Sequence, residues 1–135
     1  MSLQEKINSI YSFKDSLGEN LIGIEKEGLR VAKDGSIAQT PHPDSYGSAL
    51  THPEITTDFS EALVEIVTCP MKGATNAIDE LSKINHYINH HLANNERFWP
   101  ASMPCILRGK TNIPIAYYGE SNLGKMKTVY RRGLA

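Results

Sequence analysis

Residues 22–31 constrain the fold of this chain more than any other stretch. Their apolar members are typical of a buried strand, but Glu25 and Glu27 interrupt them. Residues two apart on a strand point to the same face, so one face of the predicted strand carries a pair of carboxylates. Two carboxylates about 4 Å apart repel by about 4 kcal/mol at an effective dielectric of about 20, so burying them together requires a cation or a bound proton. A divalent metal meets this requirement; the alternative is that both acids lie on the solvated side of a half-exposed strand.

The size and the charge of the chain limit its classes of function. It has 135 residues, of which 40% are hydrophobic, and this is enough for one ordinary domain with its own core. The formal net charge is -1 with acidic and basic residues well mixed, so nothing favours nucleic acid or a membrane surface as a partner. We therefore expect small-molecule chemistry.

The cysteines and the termini bear on location. Cys69 and Cys105 lie far apart and lack the close spacing of a zinc site or a redox motif, so both are predicted to be free thiols. No targeting segment and no run of about 18 apolar residues is visible, which predicts a soluble, cytoplasmic protein. The helix predicted over residues 125–134 stops at Ala135 without a cap, which suggests a piece of a longer protein.

Apolar periodicity and turn residues predict the order of elements. Helices are predicted over residues 4–17, 74–94 and 125–134, the last capped by Ser121 or Asn122. Strands are predicted over residues 21–31, 37–39, 62–68 and 113–118, with an Asp-Gly turn over 33–36 and an irregular surface segment over 40–48. Residues 98–105 are rich in proline yet apolar, and we expect them to pack under the sheet.

The predicted helix over residues 74–94 contains two histidines at a metal-ligand spacing. His86 and His90 lie four apart, but they fall beside the apolar stripe and lack the glutamate of a His-Glu-x-x-His site. We interpret them as part of a solvated face. The stripe itself consists of Ile78, Leu81, Ile84, Ile88 and Leu92.

Four acids occupy unusual positions. Glu65 lies among apolar residues on the second long strand, where an isolated charge needs a partner, and Asp58 lies in the turn before it. If this strand neighbours the one that bears Glu25 and Glu27, with Asp58 at the mouth of the sheet, three or four carboxylates can converge on one patch. Carboxylate oxygens suit Mg²⁺ or Mn²⁺, and Mg²⁺ keeps positions for phosphate oxygens. The patch therefore predicts a nucleotide-phosphate site.

The end of the chain is basic. A solvated basic face explains this group, but an arginine beside Tyr130 can also bind a substrate carboxylate with two hydrogen bonds. Neither a glycine-rich phosphate loop nor a nucleophile with an adjacent base is recognisable in the sequence. The basic residues are Lys125, Lys127, Arg131 and Arg132.

These segments together resemble the N-terminal part of the bacterial glutamate–cysteine ligases of the proteobacterial type. The most specific matches are Ile-Thr-Thr-Asp-Phe-Ser-Glu-Ala-Leu from Ile55 onward and Trp-Pro-x-Ser-Met-Pro from Trp99 onward. All matches run in the family's order along almost the whole chain. They cover residues 23–31, 40–43, 47–52, 55–68, 99–105, 118–122 and 124–134.

The resemblance implies a fold and a reaction. The fold is α+β, with residues 1–135 forming a single partial catalytic domain related to glutamine synthetase and the guanidino kinases, in which helices pack outside an antiparallel sheet. In that family ATP phosphorylates the γ-carboxylate of glutamate, and the amine of cysteine attacks the γ-glutamyl phosphate. The product, γ-glutamylcysteine, is the first intermediate of glutathione biosynthesis, so the implied partners are glutamate, cysteine and ATP.

The resemblance also implies roles for residues. Arg131 becomes a catalytic, substrate-facing cation, and three residues line the pocket for the cysteine side chain: Phe59, Tyr130 and Leu134. The implied cofactor is Mg²⁺ or Mn²⁺, and its ligands are Glu25, Glu27, Asp58 and Glu65.

The chain also departs from the family. Gly28 stands where a threonine is common, and Arg132 where an acid is found. Family members are several times longer, and the missing segments supply a further metal ligand and much of the nucleotide site. We therefore expect the chain alone to be inactive and to self-associate through uncovered sheet surfaces. The alternatives are a non-catalytic short relative that binds metal or an amino acid, an interaction module, or a chain whose site a second polypeptide completes.

Overall fold

Residues 1–16, 20–93, 95–107 and 112–133 are described by the structure, which is a computed structural model. Their α-helices are α1 (Leu3–Ser12), α2 (Ala74–His90) and α3 (Asn122–Arg132). Their strands are β1 (Leu21–Ile22), β2 (Glu25–Ala32), β3 (Ile55–Thr56), β4 (Leu63–Val67), β5 (Met71–Lys72) and β6 (Glu96–Phe98). The predicted α+β class is confirmed.

The strands form two antiparallel sheets. The larger has the order β3-β4-β2-β6, and the smaller pairs β1 with β5. Glu27 of β2 lies opposite Glu65 of β4, so the two acid-bearing strands are neighbours, as the sequence predicts. The predicted strand over residues 21–31 is divided, because Leu21 and Ile22 pair with β5 instead of continuing the larger sheet.

α2 covers one face of the larger sheet. Val64 and Ile66 of β4 are fully buried and pack in one apolar cluster with Ile84 and Ile88 of the helix. Burial of β-branched side chains on alternate positions of a strand is what a half-covered antiparallel sheet requires. This cluster is the main core.

The segment over residues 40–48 also contributes to this core, although it was predicted to lie at the surface. It contains a 3₁₀ turn over Asp44–Tyr46, and Tyr46 is 1% exposed. The hydroxyl of Tyr46 donates to the carbonyl of Ile88 at 2.9 Å, which satisfies its one polar atom inside the core.

The opposite face of the sheet is divided along the strands. Its apolar end packs with the loops around residues 37–38 and 105, and Trp99 and Ile113 lie against this second cluster. The packing of residues 98–105 against the sheet is confirmed, with Phe98 forming the end of β6. The other end of this face carries the acids. The buried members of the second cluster are Val31, Ile37, Ala38, Ala62 and Cys105.

α1 is formed by local signals. The Ser2 hydroxyl accepts from the Glu5 amide, and the Glu5 carboxylate accepts from the Ser2 amide, so a capping box begins the helix. No residue of α1 is buried, and its apolar stripe is exposed; Ile10, for example, is 66% exposed. The prediction of a helix up to residue 17 was wrong, because α1 ends at Ser12 and residues 13–16 form turns; Gly18, predicted to close the helix, lies outside the described part of the chain.

Several other predicted elements are shorter in the structure. Residues 37–39 and 113–118 form isolated bridges rather than strands, Val31 with Ile37 and Ser60 with Ile115. α2 ends at His90, and Ile78 is 55% exposed because it lies at the edge of the helix face that meets the sheet. Ser121 caps α3, as one of the two predicted alternatives.

The remaining predictions about local features agree with the structure. Cys69 and Cys105 are both free, the first exposed and the second buried. His86 and His90 are exposed, in keeping with a solvated face. Within the described residues, no helix combines the length and the apolar character needed to cross a bilayer.

Candidate metal and substrate site

The acidic end of the sheet is built from two neighbouring strands. Glu27 and Glu65 are directly opposed in the antiparallel register, and Glu25 lies two residues before Glu27 on the same face. Thr56 of β3 lies opposite Glu65 on its other side. Three of the four predicted metal ligands are therefore brought to one face of the sheet by strand register alone.

Glu65 is the most buried of these three acids, being half-buried where Glu25 and Glu27 are exposed. Burial raises the pKa of the Glu65 carboxyl, and the charges of Glu27 and Glu25 raise it further, while Lys127 acts in the opposite direction. A cation bound near Glu65 would favour the charged form of its carboxyl group.

α3 brings the cation Lys127 near this face, where it acts on the Glu65 carboxyl. The helix lies very close to the preceding loop. A Cβ added to Gly124 would come within 2.5 Å of the Gly119 carbonyl oxygen. The absence of a side chain at Gly124 is thus what permits this approach. Lys127 lies on the inner side, with Nζ 4.8 Å from the centroid of the Tyr118 ring.

The fourth predicted ligand, Asp58, forms an ion pair with Arg131. The Arg131 side chain is 20% exposed and that of Asp58 is 36% exposed, so the pair is partly shielded from solvent. Nε of Arg131 is buried and has no hydrogen-bond partner in the described part of the chain. The predicted metal ligand and the predicted catalytic cation are therefore in direct contact.

The loop that carries Asp58 is held by hydrogen bonds from residues that sequence reasoning missed. The Tyr118 hydroxyl donates to the carbonyls of Thr57, at 3.0 Å, and of Asp58. The buried Glu61 carboxylate accepts from the backbone amides of His42 and Tyr117, each at 2.7 Å. This loop is fixed against the segment that leads into α3.

A buried cation on the other face was also missed. Arg30 is 0% exposed, and its guanidinium donates to the Glu96 carboxylate at 2.6 Å and to the carbonyls of Thr40, Pro41 and Glu61 at 2.8–2.9 Å. The available signal was position, because Arg30 shares the inward face of β2. It joins β2, β6 and the Asp58 loop.

The predicted substrate residues do not all meet. Phe59 lines an apolar cavity of about 220 Å³ together with Leu63 and the buried Cys105, next to the acidic end of the sheet. Tyr130 is 62% exposed, and its ring centroid lies 5.4 Å from Cζ of Arg131. Leu134 lies outside the described residues.

The donor set at this face fits a hard divalent cation. Carboxylate oxygens are the ligands that Mg²⁺ and Mn²⁺ prefer, and the charges of Glu27 and Glu25 add to burial in raising the pKa of Glu65. Among the described residues, however, no three His, Cys, Asp or Glu side chains are yet gathered as a metal centre. The side chains would have to converge, and Asp58 would have to leave Arg131.

Comparison with known proteins gives the family. The family model described as glutamate–cysteine ligase matches residues 7–135. The glutamate–cysteine ligase of Alcanivorax borkumensis is 52% identical over 112 residues, which are 83% of this chain and 21% of that protein. The ligase of Pseudomonas entomophila is 46% identical over 133 residues, 98% of this chain and 25% of that protein. The chain spans about a quarter or less of the relatives it matches.

Solved structures agree with this result. The glutamate–cysteine ligase of Francisella tularensis in complex with AMP superposes with a TM-score of 0.81 at 41% identity, over 86% of this chain and 23% of that one. A bifunctional glutathione synthetase from Pasteurella multocida gives a TM-score of 0.66 at 36% identity, over 73% of this chain and 14% of that one. With a family model that matches all but its first six residues, the chain belongs to the glutamate–cysteine ligase family.

Proposed function

We propose that this chain is the N-terminal, metal-binding portion of an ATP-dependent glutamate–cysteine ligase. The reaction joins glutamate and cysteine through a γ-glutamyl phosphate and serves glutathione biosynthesis in the cytoplasm. The observation that carries the proposal is the opposition of Glu27 and Glu65 on a sheet face near Lys127 of α3.

The acidic face would hold Mg²⁺ or Mn²⁺. A metal bound there would neutralise the charge on the phosphoryl group of ATP. Register supports a ligand role for three of the acids, and the position of Asp58 beside the same helix supports the fourth. The proposed ligands are Glu25, Glu27, Asp58 and Glu65.

Arg131 would hold an anionic oxygen of the substrate, because a guanidinium offers two parallel donors to a carboxylate or a phosphate. Phe59, Tyr130 and Leu134 would contact the cysteine side chain, and the apolar cavity at Phe59 supports this for one of the three. The relative with bound AMP supports the use of an adenine nucleotide.

Residues 1–135 would form one partial catalytic domain of the glutamine synthetase and guanidino kinase type. The antiparallel sheet with α2 on one face and the acids on the other is compatible with such a funnel-shaped site. The exposed apolar residues of α1 and α3, among them Ile10 and Val129 at 66% and 71% exposure, would support self-association or cover by further polypeptide.

The metal site is testable without turnover. Mn²⁺ is titrated into the chain while the electron paramagnetic resonance signal of free Mn²⁺ is followed. Glu65→Gln and Glu27→Gln are each expected to weaken binding about tenfold, because each removes a charged oxygen ligand. Asp79→Asn, which removes an exposed acid on α2, is the matched control and should leave the affinity unchanged. Equal affinity in all four proteins would refute the site.

The inactivity of the chain alone is tested separately. The chain is incubated with ATP, Mg²⁺, glutamate and cysteine, and ADP formation is followed. We expect no turnover above background, because the chain spans 21–25% of the relatives that match it. Sustained ADP formation that requires both amino acids would show that these residues suffice.

A further inference from the structure

Tyr118 lies between the loop that carries Asp58 and the helix that carries Arg131. It is 4% exposed, and its hydroxyl donates to the backbone carbonyls of Thr57, at 3.0 Å, and of Asp58. Its ring faces the other way, with Nζ of Lys127 at 4.8 Å from the ring centroid. One buried side chain therefore contacts both the loop and the helix.

α3 meets Tyr118 and Asp58 along one side. Gly124, Lys127 and Arg131 are three and four residues apart, so they share a side of the helix, which we call its inner face. A Cβ on Gly124 would collide with the carbonyl oxygen of Tyr118, and Lys127 lies over the Tyr118 ring. One turn further on, Arg131 pairs with Asp58, whose carbonyl accepts from the Tyr118 hydroxyl. Tyr118 thus acts on successive turns of α3 through its carbonyl, its ring and its hydroxyl.

We propose that Tyr118 is a positioning residue of the candidate site, which joins the Asp58 loop to the inner face of α3 and thereby brings the Arg131 guanidinium to the Asp58 carboxylate. This inference rests on the proposed function for the roles of Asp58 and Arg131. It adds a residue that determines the distance between the two.

The backbone on either side of Tyr118 supports this role. The Ala116 amide donates to the Phe59 carbonyl at 3.1 Å, so the segment before Tyr118 runs beside the Asp58 loop. Gly119 follows in the left-handed region, with a φ of 81°, where the chain turns into α3. Tyr118 therefore stands at the point where the chain passes from the loop to the helix. The other pairings of this segment join Glu61 with Pro114 and Ser60 with Ile115.

The hydroxyl and the ring of Tyr118 can be tested apart. Burial, followed by the charges of Glu65 and Glu61, raises the pKa of Tyr118 to about 12, so the hydroxyl stays protonated and remains a donor at neutral pH. Phenylalanine in its place would keep the ring and the contact with Lys127 but lose the donor to Asp58. Tyr118→Phe is therefore the variant that isolates the hydroxyl.

The test follows the Nε–H group of Arg131 by nuclear magnetic resonance. This group is buried, so it should exchange with water more slowly than the Nε–H of Arg132, which is exposed on the same helix. Arg131→Lys assigns the signal. In Tyr118→Phe the exchange at Arg131 should become about fivefold faster, which is the factor that corresponds to the loss of one hydrogen bond between the loop and Tyr118.

Tyr46→Phe is the matched control. Tyr46 is 1% exposed and its hydroxyl donates to the Ile88 carbonyl, so this variant also loses one buried hydrogen bond, but in the core beneath α2. Both variants should lower the urea midpoint by a similar amount, whereas only Tyr118→Phe should change the exchange at Arg131. An unchanged rate in Tyr118→Phe, or an equal acceleration in both variants, would overturn the proposal.

Measurements on the wild type keep the proposal testable even if Tyr118→Phe does not fold. The ring current of Tyr118 should shift the ε-methylene protons of Lys127 upfield, because the ammonium group lies over the ring. The exchange at Arg131 should be slower than at Arg132. Unshifted Lys127 protons, or equal exchange at the two arginines, would each overturn the proposal.

The outcomes separate this inference from the proposed function. If Tyr118→Phe accelerates the exchange at Arg131 while Glu65→Gln leaves Mn²⁺ binding unchanged, the positioning role stands and the proposed metal site is refuted. If Mn²⁺ binding depends on Glu65 but Tyr118→Phe leaves the exchange at Arg131 unchanged, the metal site stands and the positioning role is refuted.

Discussion

The ring of Phe98 lies where a side chain on Gly28 would begin. A Cβ at Gly28 would come within 2.5 Å of Cζ of that ring, far below any normal carbon–carbon contact. Lys26, on the same face of β2, places Nζ 4.2 Å from the ring centroid. The phenyl ring is thus held between Gly28 and the ammonium group of Lys26. Burial of this ammonium lowers the pKa of Lys26.

Gly28→Thr should destabilise the chain. The added Cβ forces Phe98 away from β2, and overpacking of this kind costs about 1–3 kcal/mol. Urea denaturation followed by circular dichroism measures the loss in the free energy of unfolding. Adding Phe98→Leu should recover part of that loss, because the shorter side chain vacates the space. A single variant as stable as the wild type would show that the ring moves freely.

Arg30→Met should be strongly destabilising. It leaves the Glu96 carboxylate, 5% exposed, without the guanidinium that neutralises it, and breaking a buried ion pair on one side costs about 3 kcal/mol or more. The expected result is a lower urea midpoint or loss of cooperative unfolding. Lys83→Met is the matched control, since it breaks an exposed pair with Glu80 and should leave the midpoint nearly unchanged. Similar behaviour of the two variants would contradict the role assigned to Arg30.

His42 should make stability depend on pH. Both of its ring nitrogens are buried without a hydrogen-bond partner among the described residues. Burial, with smaller contributions from Arg30 and His52, lowers the pKa of His42 to about 4, while Asp44 acts to raise it.

Since this pKa is lower in the folded chain than the ordinary value of 6.5, the neutral ring contributes stability above pH 6.5 that is lost as the pH falls toward 4. Urea midpoints of the wild type and of His42→Asn across that range measure the effect, and the variant should show the smaller decline. His86→Asn, at an exposed position on α2, should decline as the wild type does. Parallel curves for all three proteins would contradict the prediction.

The acidic face was predictable because its cause is local. Side chains alternate along a strand, so the positions of Glu25, Glu27 and Glu65 in their runs determine a shared face once β2 and β4 pair. The pairing itself follows because two apolar runs of strand length, once buried, must satisfy each other's backbone N–H and C=O groups. The core stripe of α2 was predictable for the same reason, since Ile84 and Ile88 repeat with helical period.

The contacts of Arg131, Glu61 and Arg30 were not predictable, because they depend on distant parts of the chain. The docking of α3 requires Gly124 to approach the Gly119 carbonyl closely. No residue near Asp58 in the sequence predicts that approach. Arginine is a residue type usually found at the surface. Arg30 is stable in a buried position because Glu96 and three loop carbonyls accept hydrogen bonds from its guanidinium. Tyr46 was assigned to the surface because turn-forming neighbours outweigh one aromatic residue in any local reading.

The separation of acids and cations along the chain has a consequence for synthesis. Glu27 and Glu65 belong to strands that leave the ribosome well before α3, and domains begin to fold from the N-terminal side as they emerge. During that interval the nascent sheet brings its carboxylates together without Lys127 and Arg131. Until α3 arrives, dissolved cations alone can screen the repulsion between Glu27 and Glu65, so the pairing of β2 with β4 should be most sensitive to ionic strength at that stage.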